Sequence, residues 1–240
     1  MKQSIVWILV FGVWSLTGRA MAQEPIMYLH FEHRVGKDTL ELMNKTYINA
    51  HNEPFTVNKF KYYISNIVLR DSMNKAEAYP GTYLVDEADK WSKFFAIGEL
   101  PHFNPRFIEF TIGVDSIYNV GGVHTGSLDP IKGMFWTWNN GYVFAKLEGQ
   151  SDSSHAAANY FMYDVGGYKQ RHNATRKVKL EISHTLIHSG TLTIKADLLK
   201  WFQAVTNISI GQSSLCHEPG KFAMQLADNY ATMFSVTEMK

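Results

Sequence analysis

Residues 106–149 read RFIEFTIGVDSIYNVGGVHTGSLDPIKGMFWTWNNGYVFAKLEG, and this stretch decides the fold. It opens on strict alternation, with Ile108, Phe110, Ile112 and Val114 on one face and Phe107, Glu109 and Thr111 on the other. That period of two is the mark of a strand with one buried face. Turn-forming residues follow: Asp115, Asn119, Gly121, Gly122, Gly126, Asp129 and Pro130. The aromatic run Gly133-Met134-Phe135-Trp136-Thr137-Trp138 then leads through Asn139-Asn140-Gly141 into a second alternating strand, 142–148. Loops are normally polar surface segments. A connection this rich in indole and phenyl rings is expected to be tightly packed, and it is the first candidate for a site.

Working outward, similar alternation recurs on both sides. Residues 26–35 place Met27, Leu29, Phe31 and His33 opposite Tyr28, His30 and Glu32. Gly36-Lys37-Asp38 is a hairpin loop into an expected strand over 39–47. Residues 55–69 form a long strand with Phe60, Tyr62, Ile64 and Val68 on one side, followed by a loop over 71–81. Short strands are expected over 82–86, 93–100 and 160–165. Residues 177–184 and 191–197 alternate cleanly around His188-Ser189-Gly190 and read as a hairpin. Residues 198–204 suit a short helix. Phe222, Leu226, Ala227 and Tyr230 recur at helical spacing, so 221–231 is the main helix. Many short strands separated by turns, with one late helix, predict an all-β chain: an antiparallel β-sandwich with a short C-terminal helix.

The first residues have a different character. Lys2, an apolar run over 5–16 and the small–x–small sequence Ala20-Met21-Ala22 read as a cleaved secretory signal peptide, 1–22. That leaves 23–240 as a single domain, exported to the periplasm or the medium, with no membrane-spanning segment after cleavage. Lys2 and Arg19 leave with the leader, taking 23 basic residues to 21 against 22 acidic, a formal charge of −1. A near-neutral chain without basic clusters argues against nucleic acid as a partner. The single cysteine, Cys216, allows no internal disulfide, so packing alone must stabilise the domain.

The 106–149 stretch resembles the MbnP family of secreted copper-binding proteins, found with methanobactin operons and widely as MbnP-like domains. The matching pieces are Ile112-Gly113-Val114-Asp115 with Asn119, then Gly126-Ser127-Leu128-Asp129-Pro130, the run from Gly133 to Tyr142, and Lys146-Leu147-Glu148-Gly149. Tyr62-Tyr63-Ile64-Ser65-Asn66-Ile67 and Ala227-Asp228-Asn229-Tyr230 with Met233-Phe234 extend the likeness over most of the chain. The resemblance implies a secreted β-sandwich that binds copper. It implies histidine ligands joined by a kynurenine, made from a tryptophan by a partner dihaem enzyme of the MauG type. In Phe161-Met162-Tyr163-Asp164-Val165-Gly166-Gly167, Asp164 stands where relatives carry a histidine.

Ten histidines offer imidazoles, which suit copper in either oxidation state. No pair has a strong ligand spacing: His30 and His33 fall on opposite strand faces, and His184 and His188 flank a turn. The candidate metal ligands are His30, His124 and Asp164. His30 shares a strand face with Tyr28 and Glu32, and His124 lies inside the 106–149 stretch. Trp136 and Trp138, two apart, face one side of an extended backbone and are the candidate cofactor residues. They are read either as core fillers or, as the resemblance implies, with one of the two an oxidisable site residue. Asp115, Asn119 and Asp129 are oxygen donors, but their spacing does not fit an EF-hand, and capping turn amides is their expected task. Gly-x-Ser-x-Gly, phosphate-loop and His-Glu-x-x-His motifs are absent, so no enzymatic activity is expected. The competing function is a metal-free cell-surface module for glycan or protein, using exposed aromatics such as Trp91, Tyr118 or Tyr168.

Overall fold

The computed structural model describes residues 25–138, 141–182 and 190–237. Residues 1–24, which hold the expected leader, Asn139-Asn140, residues 183–189 with His184 and His188, and residues 238–240 lie outside the described residues. The strands, in chain order, are β1 (Ile26–Val35), β2 (Asp38–Thr39), β3 (Tyr47–Ile48), β4 (Pro54–Arg70), β5 (Ala76–Asp86), β6 (Phe94–Glu99) and β7 (Phe107–Ile112). After a short helix, α1 (Ser116–Val120), come β8 (Phe135–Trp136), β9 (Gly141–Gln150), β10 (Tyr160–Gly166), β11 (Arg176–Glu181), β12 (Thr191–Asp197) and β13 (Leu215–Cys216). Helix α2 (Lys221–Tyr230) and β14 (Phe234–Val236) follow.

Strand β4 is the spine of the larger sheet. Its N-terminal half pairs with β9, its C-terminal half with β7, and β5 takes the opposite edge. β10 extends the sheet from β9, and β11 extends it from β7. The smaller sheet runs β14, β12, β1, with β6 and β2 along the far edge of β1.

The 17-residue β4 keeps one face on the core only by breaking its own alternation. Its pairing shifts between Val57 and Lys59 and again between Ser65 and Ile67, where Asn66 has φ +52°. Each such bulge adds a residue and reverses which parity faces inward. Phe55 and Val57, then Phe60, Tyr62 and Ile64, then Ile67 and Leu69 are therefore all buried. Val68, expected beside Phe60, is turned outward by the bulge at Asn66.

Four further expectations need correction. The sheets are mixed, because β1–β12 and β10–β13 are parallel pairs. Strands β11 and β12 do not form a hairpin: β11 pairs with β7 in one sheet and β12 with β1 in the other. Their alternation reports one buried face each, not a shared partner. Over 39–47 only the ends pair, because the Glu41 N–H donates to the Tyr47 hydroxyl at 2.8 Å in place of a ladder bond. The loop after β4 is also shorter than expected. The Asp71 carboxylate accepts from the N–H groups of Met73 and Lys75, and β5 begins at Ala76.

Between the sheets the core is aromatic. Phe234 meets Phe31, Tyr62 and Phe110 edge-on, with ring centroids 5.2–6.3 Å apart. Trp201, in the 3-10 turn Leu198–Trp201, bridges Phe60 and Tyr230. Helix α2 presses Leu226, Ala227 and Tyr230 inward as the sequence predicted, with Ala223 buried beside them and Phe222 only half-buried. It is not the last element, since β14 returns antiparallel to β12.

Candidate functional site: the tryptophan cleft

The excursion from β7 to β9 packs over part of the outer face of the large sheet, against Tyr63 and Tyr142. Asn119, buried, fastens it: its Nδ2 donates to the carbonyls of Val114 and Asp115, and its Oδ1 accepts from the Tyr142 N–H at 2.9 Å. The Tyr142 hydroxyl donates to the Leu128 carbonyl at 2.9 Å and the Tyr63 hydroxyl to that of Ser127 at 3.0 Å. Asp129 accepts from the Ile131 N–H, and Asp115 accepts from Asn66 Nδ2. Of the three, only Asp129 caps a turn amide as the sequence suggested; Asp115 and Asn119 instead tie the excursion to β4 and β9.

That frame sets the two tryptophans apart. β8 pairs Phe135 with Tyr142 and Trp136 with Gly141. Trp136 is 7% exposed and its indole lies against Gly166. A Cβ at Gly166 would come within 2.8 Å of that ring and 2.5 Å of the Tyr142 carbonyl, so only glycine fits. Gly167 has φ +122°, and a Cβ there would lie 2.3 Å from the His172 carbonyl. The pair Gly166-Gly167 thus lets the indole and the 168–172 segment approach the end of β10. Trp138 remains 61% exposed, its ring centroid 5.6 Å from that of Trp136. The core reading of the tryptophans holds for Trp136 and not for Trp138.

Trp138, Tyr168, Lys169, His172, Glu218 and Pro219 line a cleft of about 270 Å³ over Gly167. The parallel pairing of Tyr163 with Cys216 brings 217–219 beside the end of β10. His172 and Glu218 were not singled out from the sequence. They lie 34 and 80 positions from Trp138, and Gly166-Gly167 was the one local sign of a close approach there.

The sequence candidates lie in separate places. His30, on the outer face of β1, meets Phe94 edge-on at 6.0 Å, with Nδ1 3.5 Å from the Thr193 hydroxyl. His124 donates from Nε2 to the Tyr118 carbonyl at 3.1 Å and lies 6.5 Å from the Tyr142 ring. Asp164 is gripped by Lys146, whose Nζ lies 2.6 Å from Oδ2 and 2.7 Å from Glu148 Oε1. Asp164 Oδ1 is buried without a hydrogen-bond partner among the described residues. Burial pushes the Asp164 carboxyl above its ordinary range against the pull of Lys146. At Glu148 burial acts the same way, but hydrogen bonds from Lys146, Lys59 and Tyr160 prevail and hold it down at about 2. Burial pushes the Cys216 thiol up to about 12, which keeps it protonated. Among the described residues, no three His, Cys, Asp or Glu side chains gather closely enough to share a metal ion.

A search of curated proteins returns no match. Among solved structures, the chain is similar to MbnP from Methylosinus trichosporium, with a TM-score of 0.60 over 90% of this chain and 99% of that one. At 12% identity, that likeness concerns the fold. The sequence model of the MbnP family matches residues 24–218, and the chain belongs to that family.

Proposed function

We propose that this protein is an exported copper-binding protein, without catalytic activity of its own, that captures or hands over copper at the cleft beside Trp138. Family membership supports a copper-related role. The observation that carries the reading is that an exposed indole shares one cleft with an imidazole and a carboxylate, His172 and Glu218. Imidazole suits copper in both oxidation states, and carboxylate suits Cu(II). These two donors fit the metal but are too few to hold it alone. Conversion of Trp138 to kynurenine would add a ring bearing an amine and a carbonyl at the same place. Trp138, rather than the buried Trp136, is the indole that a MauG-type dihaem partner could reach. No helix among the described residues is long and apolar enough to cross a membrane.

The test is metal analysis of protein secreted with and without a dihaem partner, with Cu(I) and Cu(II) titrations and intact mass. Expected are one copper per chain, an oxidation increment on Trp138, and loss of uptake in His172→Ala. His30→Ala and His124→Ala should retain uptake. Failure to take up copper under any of these conditions overturns the reading. The second reading, a metal-free glycan-binding module, draws on the same cleft, since Trp138 and Tyr168 are both in its wall. It predicts sugar-dependent quenching of Trp138 fluorescence in metal-free protein.

A further inference from the structure

The buried face of β1 runs Met27, Leu29, Phe31, His33, Val35, an apolar row with one imidazole in it. His33 is 2% exposed, and both of its nitrogens have partners. Nδ1 lies 2.6 Å from Glu87 Oε2, and Nε2 lies 2.8 Å from the Tyr62 hydroxyl. Tyr62 belongs to β4 and Glu87 directly follows β5, both in the large sheet, whereas His33 belongs to the small one. Lys93, just ahead of β6, reaches the same Glu87 oxygen at 2.7 Å. The ring of Phe60 closes over the imidazole edge-on at 4.7 Å.

The proton inventory of this chain is fixed by chemistry. A carboxylate only accepts, so Nδ1 carries the hydrogen toward Glu87. Nε2 of the neutral ring is then an acceptor, and the Tyr62 hydroxyl donates to it. An imidazolium would carry a second hydrogen at Nε2. The Tyr62 oxygen would have to accept it, and the fully buried phenolic O–H would be left without a partner.

We propose that Glu87, His33 and Tyr62 form a clasp between the two sheets that holds while His33 is neutral and is loosened by acid. Glu87 also lines a polar hollow of about 250 Å³ with His30, Glu32, Arg34 and Lys93, which gives protons a route to the clasp. The charged groups acting on His33 are Glu87 and Asp86, which favour its protonation, and Lys93, which opposes it. Burial outweighs them and lowers its pKa below the ordinary 6.5. The unfolded chain therefore takes up a proton near pH 6.5 that the folded chain refuses. Stability from this source is complete above 6.5 and declines as pH falls, by up to about tenfold in the folding constant per pH unit.

The test joins side-chain ¹⁵N NMR of the histidines with urea unfolding from pH 8 to 5. Expected is a neutral Nδ1–H tautomer of His33 at pH 6. Between pH 6.5 and 5.5 the folding constant should fall several-fold further in wild type than in His33→Gln. If His33→Gln does not fold, Tyr62→Phe serves instead: with no phenol to strand, the His33 midpoint should rise toward 6.5. A His33 midpoint at or above 6.5 in wild type, an Nε2–H tautomer, or an unchanged pH slope in His33→Gln overturns the proposal. So does an unmoved midpoint in Tyr62→Phe. None of these readouts depends on copper.

Discussion

Two clusters of polar side chains flank β10, and they differ in what their donors already hold. On the outer face, Asp164, Lys146 and Glu148 are buried and bound to one another, with Lys59 and Tyr160 completing the shell of Glu148. At the end of the strand, His172 and Glu218 border an open cleft beside an exposed indole. A side chain can serve a ligand only if the fold has not already engaged it. By that criterion Asp164, at a position where the resemblance led one to expect a ligand, belongs to the framework. His172, which carried no signal in the sequence, is available.

The sharpest way to test this division is to attack a donor that is unambiguously framework. The buried Glu53 carboxylate accepts from Asn49 Nδ2, the Ser209 hydroxyl and the N–H groups of Ile210 and Gly211, all within 2.9 Å. It ties the start of β4 to the 209–211 turn. Glu53→Ala strands four buried donors and should cost about 3–5 kcal/mol in urea unfolding. Burial acts to raise this carboxyl, but its four hydrogen bonds prevail and hold it below 4.5. Its contribution is therefore complete above pH 4.5 and is lost as pH falls through the lower folded value. Glu53→Gln should flatten that acid limb.

Lys146→Met is the next largest. It removes the ammonium between two buried carboxylates and should cost about 3 kcal/mol. Adding Asp164→Asn in that background should recover about 1 kcal/mol, because the stranded charge is gone. Asp164→Asn alone should leave copper uptake unchanged, whereas a ligand role for Asp164 requires uptake to fall.

The same division explains what could be read from the sequence. Alternation in β1, β7 and β12 and the helical spacing of Leu226, Ala227 and Tyr230 reported one buried face each, and the structure buries those faces. Alternation is silent about partners, so the separation of β11 from β12 into different sheets could not be read from it. It is also silent about a second cover. β9 alternates in sequence, yet is buried on both faces from Gly141 to Gly149, because the β7–β9 excursion lies over part of its outer side. Lys146 and Glu148 are therefore buried, although alternation over 142–148 by itself implies one solvated face. The cleft was harder still, since Trp138, His172 and Glu218 meet only through the register of β9, β10 and β13.

The smallest expected change in stability carries the most information about the open cluster. Trp138 is largely exposed, and its indole touches that of Trp136 from the solvent side. Trp138→Phe keeps an aromatic surface against Trp136 and should shift unfolding by no more than about 0.5 kcal/mol. His172→Gln should behave alike, because no buried contact of its ring holds the fold. Both variants should nonetheless lose copper uptake, while Trp136→Phe, with its buried indole packed on Gly166, should destabilise measurably. The comparison fails if Trp138→Phe or His172→Gln unfolds as readily as Trp136→Phe, since the cleft would then be framework too.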